Sequence, residues 1–127
     1  MTAITLSAGG VSLAATLGDG PAARRLAGSL PVTIAMSRWG DEYYGSLAVR
    51  LPSGGARRDV YAVGEVALWP DGNAFCIFFG PTPASHGDEP RMASPGIPLG
   101  RILGDPSVFQ GQGPRVRMTL RAADGVK

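Results

Sequence analysis

The sequence predicts a mainly β chain closing into an antiparallel barrel of about eight strands with one or two short helices, on three observations. Turn residues are frequent, with 19 glycines and 11 prolines among 127 residues. The apolar residues between them come in short runs, most of which alternate at the two-residue period of a strand. Closing such strands into a ring removes the exposed edges that an open sheet would present. The length suits a single domain over residues 1–127, with a tail from about residue 122.

Composition narrows the function classes. With 44% hydrophobic and 17% charged residues the chain is of globular type. The formal net charge is +2, and the arginines fall in scattered pairs such as Arg24-Arg25, Arg57-Arg58 and Arg115 with Arg117. That pattern gives no basic stripe, so no nucleic-acid partner is expected. No apolar run approaches the ~20 residues of a membrane helix, and the first ten residues lack the basic start of a signal peptide. The expectation is a cytoplasmic protein without a membrane partner, its oligomeric state open. One cysteine excludes an internal disulfide, and one histidine with one cysteine supplies no metal set. No phosphate-loop or dinucleotide motif is present, so no cofactor is expected.

The strongest element is Val63 to Pro83, VGEVALWPDGNAFCIFFGPTP. Asp71-Gly72 between two apolar runs is a hairpin signal. With Pro70 to Asn73 as a four-residue loop, Trp69 faces Ala74, Leu68 faces Phe75, Ala67 faces Cys76 and Val66 faces Ile77. Alternation then puts Val66, Leu68, Phe75, Ile77 and Phe79 on one uniformly apolar face, the core face. Glu65, Ala67, Trp69, Ala74, Cys76 and Phe78 take the other, which is either covered by a helix or lines a pocket.

The remaining elements follow in order. Ile4 to Ser7 and Val11 to Leu17 form a hairpin around Gly9-Gly10. Asp19 is placed to cap a short helix that Pro21 opens and that ends near Ser29. Val32 to Ser37 is a half-buried strand with Val32, Ile34 and Met36 inward. Glu42 to Leu51 is a strand with Tyr43, Gly45, Leu47, Val49 and Leu51 on one face, where Gly45 marks a bulge or a close backbone approach. Pro52 to Arg58 is a polar loop. Gly80 to Pro98 contains five prolines and reads as an irregular loop. Leu99 to Leu103 is a short strand, Ser107 to Gln110 a helical turn, and Arg115 to Arg121 a closing strand.

Few residues carry chemistry. His86 reads as a solvated loop residue, and Cys76 between Phe75 and Ile77 as a buried thiol. Glu42 and Tyr44 share a strand face directly after Trp39. A carboxylate, a phenol and an indole together suit a small amine or a peptide; a solvated strand end with a rim aromatic is the plainer alternative. The expected ligand-binding set is Glu42, Tyr44, Trp69 and Phe78, with Arg101 nearby and the proline-rich segment as one wall. No catalytic residue is assigned.

Trp39-Gly40-Asp41-Glu42, then Val63 to Pro70, Ala74 to Pro83 (AFCIFFGPTP), Ser94-Pro95 and Leu99 to Ile102 resemble a small prokaryotic family of cyclophilin-like-fold proteins of unassigned function. The resemblance runs from about Ile4 to Leu120 and implies an eight-stranded closed barrel with short helices at its ends. It implies less about activity. True cyclophilins are peptidyl-prolyl isomerases that use a Phe-His-Arg-type strand and a following glutamine. This chain has no such segment and no glutamine before Gln110. Two readings therefore stand: a module binding a small molecule or short peptide in a groove on the outer barrel face, or a divergent prolyl isomerase.

Overall fold

The structure, a computed structural model, describes residues 1–123; residues 124–127 of the expected tail lie outside the described residues. The strands are β1 (Thr2–Ala8), β2 (Val11–Leu17), β3 (Val32–Arg38), β4 (Glu42–Ser46), β5 (Arg58–Val60), β6 (Glu65–Trp69), β7 (Ala74–Phe78), β8 (Arg91–Ile102) and β9 (Arg115–Ala122). Helix α1 spans Pro21–Ala27, and 3-10 turns cover Pro70–Gly72 and Pro106–Gly111. The strands pair antiparallel in the order β2-β1-β9-β3-β4-β7-β6-β8, and a further β2–β8 pairing joins the ends into a ring of eight. β5 pairs with β8 outside that ring.

The tight hairpins follow from backbone chemistry. Gly9 and Gly10 both adopt positive φ, at 55° and 84°, the twist a two-residue turn needs to match its flanking strands. In the central hairpin Val66, Ala67, Leu68 and Trp69 pair with Ile77, Cys76, Phe75 and Ala74, the register expected from the alternation. Val66, Leu68, Phe75, Ile77 and Phe79 all lie in the main core with Ile4, Leu6, Leu17, Leu26, Ile34, Met36, Met118 and Leu120. Tyr43, Phe79 and Phe109 meet at one end of that core, with ring centroids 5.4 to 6.1 Å apart.

Three expectations need correction. The strand predicted over Glu42 to Leu51 stops at Ser46. Leu47 and Leu51 are buried as predicted, but the backbone there bonds to Asn73 rather than to a neighbouring strand. The Asn73 side-chain amide donates to the Val49 and Leu47 carbonyls at 2.9 and 3.3 Å, and its oxygen accepts from the Leu51 N–H at 3.1 Å. The segment Gly80 to Pro98 is not irregular throughout: its last eight residues begin the twelve-residue β8. Pro98 is accommodated because the β6–β8 register shifts between Val66 and Ala67, and Ala67 is its partner. Asp19 does not cap α1. Gly20 occupies the cap position, and Asp19 instead pairs with the amino terminus of Met1.

Candidate functional site

The non-core face of the central hairpin is neither bare nor helix-covered. Ala67, Cys76 and Phe78 form a second apolar cluster with Tyr61 and Met92, and Trp69 packs on its edge. Tyr61 follows β5, and Met92 lies in the half of β8 that pairs with β5. A small β5–β8 flap thus lies over the outer face of the ring. Tyr61 stacks on Phe78 at 4.7 Å between centroids. Arg58 in turn lies 4.5 Å over the Tyr61 ring and pairs with Glu65.

The flap does not cover the whole face. Beside it a cavity of about 270 Å³ opens, bordered by Trp39, Glu42, Tyr44, Trp69, Cys76, Met92 and Ala93. Sheet register explains the grouping. Tyr44 is directly opposite Cys76, which is directly opposite Ala67, so these side chains share the outer face. Glu42 is opposite Phe78 one step along the same face. Met92 and Ala93 close the site from β8. The Trp69 indole N–H donates to Ser94 Oγ at 2.8 Å, which ties one aromatic wall to β8.

The turn that presents Trp39 and Glu42 is held rigidly. Arg38 donates to Asp41 Oδ1 and to Gln110 Oε1, both at 2.8 Å, and to the Gln110 carbonyl at 2.9 Å. The Trp39 N–H bonds to the Glu42 carbonyl, and the Phe79 N–H to that of Asp41. Arg38 is thereby consumed within the turn, with its guanidinium 5.0 Å from the Phe79 ring.

Glu42 is the unusual group. The residue is 3% exposed, and its Oε1 has no hydrogen-bond partner among the described residues. Burial pushes its carboxyl up to about 7, and the nearby Cys76 thiol opposes the shift only in part. The thiol is itself raised well above its usual value, first by burial and then by the neighbouring Glu42. Cys76 therefore stays a protonated thiol and is no ready nucleophile. The arrangement can accept or donate one strong hydrogen bond at its floor, between aromatic and sulfur-bearing walls.

Of the five residues singled out from sequence, Glu42, Tyr44 and Trp69 border one cavity. Phe78 is fully buried beneath Tyr61 and does not line it. Arg101 is exposed, sits on β8 opposite Glu65 and Thr16, and is also absent from the lining. The additional lining residues are Trp39, Cys76, Met92 and Ala93. Trp39 and Cys76 had the right neighbours in sequence. Met92 and Ala93 fall within the proline-rich segment expected as one wall, but neither was singled out, because the prolines hide the strand that presents them. Among the described residues there is no cluster suited to a metal ion, and no helix is long and apolar enough to cross a membrane.

A family model described as Cyclophilin-like matches residues 2–121. No curated protein matches the chain. Among solved structures, the chain is similar to the solution structure of a hypothetical protein from Archaeoglobus fulgidus. The two are 28% identical, with a TM-score of 0.80 over 96% of this chain and 95% of the other. The ring of antiparallel strands, the match over nearly the whole sequence and the structural likeness agree: the chain belongs to the cyclophilin-like family.

Proposed function

We propose that the protein is a binding module whose outer-face cavity takes a small organic molecule. One observation carries this reading: a nearly inaccessible carboxyl with an unpartnered oxygen forms part of a preformed cavity walled by Trp39, Tyr44, Trp69 and Met92. Leaving a buried polar atom unpaired costs about 1–3 kcal/mol, so a partner supplied by a ligand has a clear energetic role. A mostly apolar pocket with one or two orienting polar groups is the usual makeup of a ligand site. At about 270 Å³ the cavity has room for a single ring or a short chain, and a peptide could engage it only through one side chain. Isomerase chemistry is the weaker reading. It requires a cation or donor array beside the twisted carbonyl, and none of the described lining residues is cationic.

A screen of fragment-sized compounds against the isotope-labelled protein tests the proposal by NMR. Shifts should concentrate on the indole N–H signals of Trp39 and Trp69 and on the amides of Met92 and Ala93. Ala93→Trp fills the mouth from an exposed position and should abolish them while leaving the remaining spectrum in place. Hits that map elsewhere, or that persist in Ala93→Trp, would refute the site.

A further inference from the structure

The lining of the proposed small-molecule cavity also constrains the charge of its occupant. Resting on that small-molecule reading, we infer that the ligand is a small organic ammonium, a primary or secondary amine with an apolar body, donating an N–H to Glu42 Oε1. The acceptor is in place: Oε1 is buried, lacks a partner and belongs to a side chain that lines the cavity. The walls favour the same sign of charge. Trp39, Tyr44 and Trp69 contribute aromatic rings, whose electron-rich faces attract cations, and the sulfurs of Met92 and Cys76 are polarisable. An anionic ligand meets the opposite situation. Among the described lining residues there is no arginine, lysine or histidine, and Arg38 is already bound to Asp41 and Gln110. A carboxylate or phosphate would face a carboxyl and three aromatic rings without a counter-ion.

An ammonium ligand entails a pH dependence. Three titratable groups face the cavity: Glu42 and Tyr44 from β4, and Cys76 from β7. Trp69 from β6 and Met92 with Ala93 from β8 contribute none, and in the adjoining turn Arg38 and Asp41 neutralise each other at 2.8 Å. Cys76 remains protonated, so Glu42 is the group that titrates near neutrality. An ammonium requires its carboxylate form. Affinity should therefore rise about tenfold between pH 6 and pH 8 as Glu42 loses its proton, and binding below neutrality should release that proton.

The test compares three probes of one shape on the unmodified full chain: benzylamine, benzyl alcohol and benzoate. Titrations follow the indole signals of Trp39 and Trp69. Benzylamine should bind at least tenfold tighter than either of the others at pH 8, and that preference should fall about tenfold at pH 6. In Glu42→Gln the preference should vanish, while benzyl alcohol still shifts the indole signals. Equal or tighter binding of benzyl alcohol or benzoate overturns the ammonium assignment and leaves the cavity reading intact. A preference that survives Glu42→Gln overturns it as well. If none of the three moves the indole signals, the small-molecule reading falls and the ammonium assignment falls with it.

Discussion

Glu42 shows how one buried side chain can make stability depend on pH. Its carboxyl titrates at about 7 in the folded protein against an ordinary value of 4.5, because burial penalises the charged form. Below pH 4.5 the folded and unfolded states both carry the neutral acid, so there is no penalty. Between 4.5 and 7 the unfolded chain loses its proton first, and folding becomes less favourable. Above pH 7 the penalty is complete, on the order of 3 kcal/mol. Replacing Glu42 with Gln removes this titration without changing the size of the side chain. The variant's stability relative to the native chain should therefore improve by about 3 kcal/mol between pH 4 and pH 8. Urea denaturation of both proteins at the two pH values measures it, and parallel pH curves would sink the idea. Sequence parity placed Glu42 beside Tyr44 correctly but could not report depth. An acidic residue at the start of a strand reads as solvated, and its burial depends on β8 and the turn at Trp39, which are remote in sequence or lack periodicity.

At the scale of elements, Asn73 joins the hairpin loop to the segment after β4. It is the only non-glycine residue with positive φ among the described residues, at 47°. Its side chain binds three backbone groups between Leu47 and Leu51. The two roles can be separated. Asn73→Gly keeps the left-handed backbone accessible and loses the three bonds, and should cost about 1–2 kcal/mol. Asn73→Ala loses the bonds and also strains the backbone, and should cost about 1 kcal/mol more. Thermal melts give the ranking, and amide exchange at Leu51 should accelerate in both variants. Equal melts for Gly and Ala would show that the conformation contributes nothing. This anchor also explains the misread end of β4. The apolar alternation of Leu47, Val49 and Leu51 was a true record of burial, but burial does not reveal which backbone group accepts each hydrogen bond. β8 failed to read as a strand for a different reason. Pro95 and Pro98 suggest a loop when read locally; Pro98 is accommodated at a register shift against β6, and Pro95 falls where the β5–β8 register is itself irregular. The central hairpin was legible because everything that fixes it, the turn and the alternation on either side, lies within about twenty residues.

At the scale of the whole molecule, the ring depends on a short seam. β2 and β8 share only three residue pairs, Ala15 with Ile102, Thr16 with Arg101 and Leu17 with Gly100. The Gly18 N–H to Leu99 carbonyl bond at 2.8 Å and the Leu103 N–H to Ala14 carbonyl bond at 2.9 Å extend it at both ends. Sequence pattern supplied the strand count, and the need to remove edges supplied closure. The seam itself was not legible, because it joins strands about 85 residues apart through a glycine with no apolar signal. Gly100 has a physical reason to be there. A Cβ at that position would overlap the Thr16 carbonyl oxygen and come within 3.0 Å of the Leu17 Cα, both backbone atoms that cannot rotate away. Gly100→Ala should therefore force β2 and β8 apart. Each ring strand is held by two neighbours, so the damage should spread through the core rather than stay local. We expect a loss of about 3 kcal/mol or more, comparable to the largest effects of overpacking. Urea unfolding followed both by tryptophan fluorescence and by far-ultraviolet circular dichroism checks both parts of the claim. The two curves should coincide in the native chain and, at a lower midpoint, in the variant. Trp39 lies just before β4 and Trp69 ends β6, so neither indole sits on β2 or β8, the two strands of the seam. A variant in which fluorescence keeps its native midpoint while the dichroism transition moves would show that the seam is only a local closure.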